Sequence, residues 1–210
     1  MDRCRGKRRI TWCVSAALPV VLLQCGWSEA SSTRTSEDIF QSVAPTVVTI
    51  AGRGSGFIVD SSGTVITNLH VVAGAMDGAS MPALLTKDGR SLPVMGVMAY
   101  DRLNDLCALK VEDEALPHAE FAGNDGVDGE RVFVIGAPQG LSYTITDGLL
   151  SGTRVINGRR LLQFSAPISG GNSGGPLVNS GGQIIGIVAL AKVDGKDLNF
   201  AVPISAVKTA

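Results

Sequence analysis

A serine set among glycines, Gly170-Gly171-Asn172-Ser173-Gly174-Gly175-Pro176-Leu177, is the segment of this chain best suited to chemistry. Glycine on both sides lets the backbone take up unusual φ values and approach a ligand closely. Such a turn can expose the hydroxyl and aim neighbouring N–H groups at one point, as stabilisation of an oxyanion requires. A plain hairpin loop has the same composition, and Asn179-Ser180-Gly181-Gly182 nearby reads as one. A serine hydroxyl is a weak nucleophile without an adjacent base, and the chain offers 2 histidines, His70 and His118. His118 follows Pro117 among Glu112, Asp113, Glu114 and Glu120 and reads as a surface residue. His70 closes the β-rich run Thr64 to Leu69 and precedes the apolar Val71-Val72-Ala73, a setting that can hold an imidazole in place. A carboxylate bonded to its other ring nitrogen would fix the tautomer and stabilise the imidazolium. Asp105, just before the apolar run Leu106 to Val111, is the candidate, whereas Asp101 reads as a turn residue. The order His70, Asp105, Ser173 is that of one established serine-nucleophile arrangement. Both histidines precede Ser173, which excludes the order serine, acid, histidine that a G-x-S-x-G elbow needs.

The elements that must position these residues are short. β-rich runs fall at 47–51, 56–60, 64–68, 83–86, 92–100, 106–111, 131–135, 143–155, 161–165, 184–192 and 198–202. Turn signals such as Ser61-Ser62-Gly63, Lys87-Asp88-Gly89 and Asn157-Gly158 separate them. Many short strands with glycine-rich turns predict an all-β sandwich or barrel. A short helix capped by Ser36, with Glu37 and Asp38 in its first turn and Pro45 ending it, precedes them. The polar stretch 112–130 divides the strands into halves of similar size. The boundaries this gives are 31–45 for linker and helix, 46–118 for the half carrying His70 and Asp105, and 119–210 for the half carrying Ser173.

Residues 1–30 read as an export signal. Arg3, Arg5, Lys7, Arg8 and Arg9 precede an apolar stretch from Ile10 to Leu23, and Ser28-Glu29-Ala30 offers small residues for cleavage. An uncleaved anchor, lipidation at Cys25 and a twin-arginine signal at Arg8-Arg9 are the alternatives. The expected location is periplasmic or extracellular, with no membrane contact beyond that anchor. The full chain carries 18 basic and 19 acidic side chains in 210 residues, net −1. Without the leader's five basic and two acidic groups, 13 face 17, net −4, which gives nucleic acid no basic face. Three of the 4 cysteines (Cys4, Cys13, Cys25) lie in the leader. Cys107, in an apolar run, reads as a buried small hydrophobe. One cysteine and two histidines assemble no metal cluster of the usual spacing, so neither metal nor cofactor is expected.

The chain resembles trypsin-like serine proteases of the HtrA (Deg) type. The matching stretches are Gly54-Ser55-Gly56-Phe57-Ile58-Val59-Asp60, Thr67-Asn68-Leu69-His70-Val71-Val72, Asn104-Asp105-Leu106-Cys107-Ala108-Leu109-Lys110 and Gly136-Ala137-Pro138-Gln139-Gly140. They continue with Gly170 to Leu177, Gly182-Gln183-Ile184-Ile185-Gly186-Ile187 and Asn199-Phe200-Ala201-Val202-Pro203, collinear from Ser36 to Ile204. The resemblance implies two perpendicular six-stranded antiparallel β-barrels with the active site in the cleft between them. It implies a His70, Asp105, Ser173 triad, an oxyanion hole from the N–H groups of Gly171 and Ser173, and unfolded polypeptides as substrates. The residue six before the serine, which floors the primary pocket in such enzymes, is Pro167, and the adjoining strand is Ile187-Val188-Ala189-Leu190. Cleavage after small or medium aliphatic residues is therefore expected. The family's usual Asn-Pro-Gly-Asn-Ser stands here as Ser169-Gly170-Gly171-Asn172-Ser173, without the proline. The sequence ends at Ala210, so docking through a PDZ domain is not carried over, and a homo-oligomer is left open. The competing readings are an inactive protease-like binding module and a structural β protein of the envelope.

Overall fold

The computed structural model describes residues 34–208, apart from 51, 77–80, 114, 138–142 and 194–195. The leader-like segment and its cysteines lie outside the described residues. Helix α1 (Ser36–Val43) comes first. Its N-cap is Thr35, one residue before the expected Ser36: the Thr35 side chain accepts from the Asp38 N–H, and the Asp38 carboxylate accepts from the Thr35 N–H at 3.0 Å. This reciprocal box satisfies two donors at once, which a cap at Ser36 would not have done. Pro45 lies in the 3-10 turn Ala44–Thr46 that follows the helix.

Seven strands form the first antiparallel sheet: β1 (Val47–Ile50), β2 (Gly54–Ile58), β3 (Thr64–Asn68), β4 (Leu84–Thr86), β5 (Ser91–Leu92), β6 (Val94–Asp101) and β7 (Leu106–Val111). Their order is β5-β4-β1-β2-β3-β7-β6. The expected strand over 92–100 is two strands, because Pro93 has no N–H to contribute to a ladder. Since β5 and β6 end opposite sides of the sheet and are joined through Pro93 alone, the sheet curls round on itself. Helix α2 (Leu69–Met76) follows β3 directly. His70 therefore stands in the first turn of a helix and not at a strand end, which corrects the sequence expectation.

Six further strands close a barrel: β8 (Arg131–Gly136), β9 (Thr144–Ile156), β10 (Arg159–Phe164), β11 (Pro176–Asn179), β12 (Ile184–Val193) and β13 (Lys196–Pro203), in the order β10-β13-β12-β11-β8-β9. β11 is absent from the sequence expectation, its four residues being too few to show a period. Asn157 (φ 52°) and Gly158 (φ 77°) turn β9 into β10 as the sequence signals, both in the left-handed region that suits a two-residue hairpin. Helix α3 (Ile204–Val207) follows β13. One closed six-stranded barrel and one curled sheet, of seven strands where the resemblance implies six, make the two-barrel architecture that the resemblance implies.

Among the described residues, buried apolar side chains form three clusters. Val48, Ile50, Ile58, Val65 and Leu109 belong to the curled sheet, and Val132, Val134, Leu150, Leu177 and Ala201 to the closed barrel. The third cluster draws on both: Ile39 and Val43 of α1 pack with Phe57 of β2 and with Phe133, Ile187 and Phe200 of the barrel. Each such side chain contributes about 1.5–3 kcal/mol when fully buried. This third cluster therefore holds the two sheets, and the loops at their junction, in a fixed relation.

Candidate active site

Asp105 leaves the turn after β6 with φ 57°, a left-handed conformation unusual for a side-chain-bearing residue. Its surroundings compensate. Its carbonyl accepts from the Leu69 N–H at 3.1 Å and from Asn68 Nδ2 at 3.0 Å. Its carboxylate accepts from the His70 N–H at 2.9 Å and meets His70 Nδ1 at 2.6 Å. Backbone and side chain of Asp105 are thus both fixed by residues 68–70, and the His70 imidazole is oriented in turn. The His70 side chain is 51% exposed and that of Asp105 22%, so the imidazole is half open to solvent while the carboxylate is largely sheltered. Asp101 is the turn residue the sequence suggests: it accepts from the N–H groups of Leu103 and Asn104 and from Asn104 Nδ2. The Asn104 side chain, foremost among these donors, draws the Asp101 carboxyl below its ordinary range. His118 is exposed, its Nδ1 3.3 Å from the Leu116 carbonyl.

Ser173 is built into a tight turn. The Gly175 N–H donates to the Asn172 carbonyl at 2.9 Å, Ser173 has φ −56° and ψ 130°, and Gly174 has φ +83°. These values describe a type II turn with Ser173 at its second position, and such a turn requires glycine at its third. Space imposes the same choice, since a Cβ on Gly174 would lie 2.2 Å from the Ser55 carbonyl oxygen and 2.4 Å from Thr67 Oγ1. The Gly174 N–H donates to the Val188 carbonyl at 2.9 Å, and the Val188 N–H to the Gly175 carbonyl at 2.8 Å, fastening the turn to β12. Before it, Gly170–Asn172 form a 3-10 turn in which the Asn172 N–H donates to the Ser169 carbonyl at 2.9 Å.

The serine turn meets the residues that flank His70. A Cβ on Gly54 would fall 2.7 Å from the Ser173 carbonyl oxygen and 3.0 Å from Val71 Cγ2, and one on Gly174 would fall 3.1 Å from the Asn68 nitrogen. The Ser55 N–H donates to the Ser173 carbonyl at 2.8 Å. Ser173 is only 4% exposed. Among the described residues no hydrogen bond joins Ser173 Oγ to His70.

Of the residues expected to shape a substrate pocket, Pro167 is exposed and Ala189 is 6% exposed. Ile187 and Val188 are wholly buried, and as neighbours on β12 they face opposite ways, into different apolar clusters. The segment bearing Pro167 is held by Asn199 Nδ2, which donates to the Ala166 carbonyl, and by Thr146 Oγ1, which donates to the Pro167 carbonyl, each at 2.7 Å. Among the described residues no group of three His, Cys, Asp or Glu side chains converges as a metal site. Sequence reading passed over Ser55, which is wholly buried and binds the serine loop through side chain and backbone alike. Its signal was only a small polar residue between two glycines of a β-rich run.

Residues 54–187 match the model of the trypsin-like peptidase domain. That span exceeds half of the chain, and the protein belongs to the trypsin-like peptidases. Its relatives carry HtrA and Deg names. The Synechocystis sp. protein named as serine protease HhoB is 40% identical over 162 residues, covering 73% of this chain and 38% of that protein. The serine endoprotease of Yersinia pestis superposes with a TM-score of 0.73 at 31% identity, covering 84% of this chain and 65% of that one. Deg5 superposes with a TM-score of 0.69 at 32% identity, covering 82% of this chain and 90% of that one. The chain thus spans about two fifths of the length of the curated relatives it matches.

Proposed function

We propose that the protein is a serine endopeptidase that hydrolyses peptide bonds through an acyl-enzyme, with Ser173 as nucleophile, His70 as general base and acid, and Asp105 as the group that orients His70. The observation that carries this reading is the doubly bonded His70–Asp105 pair beside a glycine-framed serine turn in a chain of the trypsin-like peptidase family. With Nδ1 committed to Asp105, the tautomer that leaves Nε2 free to accept a proton is favoured. Ser173 Oγ attacks the scissile carbonyl, His70 takes its proton and returns it to the leaving amine, and water repeats the sequence to release the acid. Such hydrogen bonds are often long in the resting enzyme and tighten when substrate is bound, which fits the absence of a direct Ser173–His70 bond. The N–H groups of Gly171 and Ser173 are the proposed oxyanion donors. Each donor of that kind is worth a factor of about 10²–10³ in kcat.

Pro167 at the pocket floor puts no acidic group where an arginine or lysine would need one, and Ala189 offers a small apolar wall, with Ile187 and Val188 backing it from within the apolar clusters. Cleavage after Val, Ala or Leu is the corresponding specificity. Unfolded polypeptides are the proposed substrates, and the basic, then apolar, first thirty residues support export of the protein. Digestion of casein by the wild-type protein and by Ser173→Ala tests the reading. Cleavage is expected in the first and lost in the second, and equal cleavage by both would refute the assignment.

A further inference from the structure

Ser55 stands in β2 with no exposed surface, between Gly54 and Gly56. A buried hydroxyl is costly unless its bonds are satisfied, and an apolar residue would suit a strand interior better. What the hydroxyl does is reach out of its own sheet. Ser55 Oγ donates to the Gly171 carbonyl at 2.7 Å and accepts from the Ala137 N–H at 3.2 Å. Its own N–H donates to the Ser173 carbonyl at 2.8 Å, and its carbonyl accepts from Thr67 Oγ1 at 2.8 Å. Every polar group of Ser55 is therefore engaged, and two of these bonds end on Gly171 and Ser173, the residues proposed to supply the oxyanion donors.

The backbone it grips is intrinsically soft at Gly170 and Gly171, where the local restraint is the bond from the Asn172 N–H to the Ser169 carbonyl. Gly170 and Gly171 are consecutive glycines, which populate several backbone conformations about equally. Bonding the Gly171 carbonyl from the opposite sheet fixes the plane of the Gly171–Asn172 peptide, and bonding the Ser173 carbonyl fixes the next turn of the chain. We infer that Ser55 is a positioning residue for the oxyanion site, holding Gly171 and Ser173 in the conformation that stabilises the tetrahedral intermediate. The inference rests on the proposed serine-protease reading. Ser55 touches no substrate and acts through the two backbone carbonyls.

The test compares wild type with Ser55→Ala and Ser55→Cys, using a fluorophosphonate and a peptide ester with valine before the scissile bond. Preorganised oxyanion donors act on the transition state and not on ground-state binding. Ser55→Ala should therefore lose about tenfold to a hundredfold in kcat and in the labelling rate, a fraction of the effect of deleting a donor outright. KM should stay within about twofold, and so should the midpoint of the kcat/KM pH profile, because His70 and Asp105 are untouched. Affinity for a peptide aldehyde, which forms an oxyanion on the enzyme, should fall with kcat, whereas affinity for the product acid should not. Ser55→Cys, a weaker donor of similar shape, should lie between the two, and it carries the comparison if Ser55→Ala does not fold. Labelling and kcat within about twofold of wild type in the folded variants would overturn the inference while leaving the protease reading standing. A loss confined to KM would do the same. A wild-type protein that neither labels nor turns over would refute the protease reading, and this inference with it.

Discussion

Asp105 and His70 are bonded twice, once from the His70 backbone N–H to Oδ1 and once between Nδ1 and Oδ2, the latter at 2.6 Å. The second bond sets the ring and the first sets the carboxylate, so neither side chain can rotate without losing its partner. Helix α2 makes this arrangement available: its first turn leaves the His70 N–H without a carbonyl four residues back, and Asp105 satisfies it.

Asp105→Asn separates geometry from chemistry. Asparagine tolerates the left-handed backbone at this position, so melting temperature should change by only a few degrees. Its amide would donate to the imidazole and favour the wrong tautomer, and kcat should fall by about 10⁴ as in the general triad case. Steady-state kinetics beside a thermal melt checks this, and a loss below about tenfold would contradict the proposed role of Asp105.

Gly174→Ala should fail for steric reasons. The added Cβ would meet the Ser55 carbonyl oxygen at 2.2 Å, at a φ of +83° that side-chain-bearing residues rarely adopt. Strain of this kind together with a backbone clash costs about 3 kcal/mol or more. Denaturant unfolding, or the soluble yield, reads the effect.

Acid should destabilise the fold partly through the turn at Asp60. Burial works to raise the Asp60 carboxyl, but hydrogen bonds from Thr64 and Ser62 outweigh it and bring it from 3.8 down to about 2. A carboxyl depressed by folding contributes its stability above the unfolded value and loses it as pH falls toward the folded one. Asp60→Asn keeps an acceptor oxygen without the charge. Its stability should change less between pH 4 and pH 2 than that of wild type, by about 1–2 kcal/mol after allowance for partial solvent screening. Urea unfolding at the two pH values measures the difference.

Cys107 should be silent in the native protein. It is 1% exposed, and burial pushes its thiol up to about 11. The thiolate is the reactive form, so an aromatic disulfide reagent at pH 8 should react with Cys107 only after denaturant is added.

Much of this was legible in the residues, for reasons that differ from place to place. Two histidines and few serines set among glycines leave few arrangements for an acyl-transfer site, and the apolar strand after Asp105 marks where a carboxylate can be sheltered. The strands of the curled sheet show themselves because apolar residues alternate or run together, as in Leu106–Val111. Helix α2 does not, because Leu69-His70-Val71-Val72-Ala73 is as compatible with a strand as with a helix, and Asn68, a residue type suited to an N-cap, falls within the β-rich run before it. β5 and β6 merge in the sequence because one proline is a weak interruption in a long apolar run. Ser55 is hidden for another reason: its partners Gly171 and Ala137 lie 116 and 82 residues away, and bonds to backbone leave no trace in residue type.

The most direct test of the account is to label the purified protein with a fluorophosphonate and locate the adduct by mass spectrometry of its peptides. The account predicts a single adduct on Ser173, absent from Ser173→Ala and formed far more slowly in Asp105→Asn. An adduct elsewhere, labelling of Ser173→Ala at the wild-type rate, or no labelling of the folded wild-type protein would contradict it.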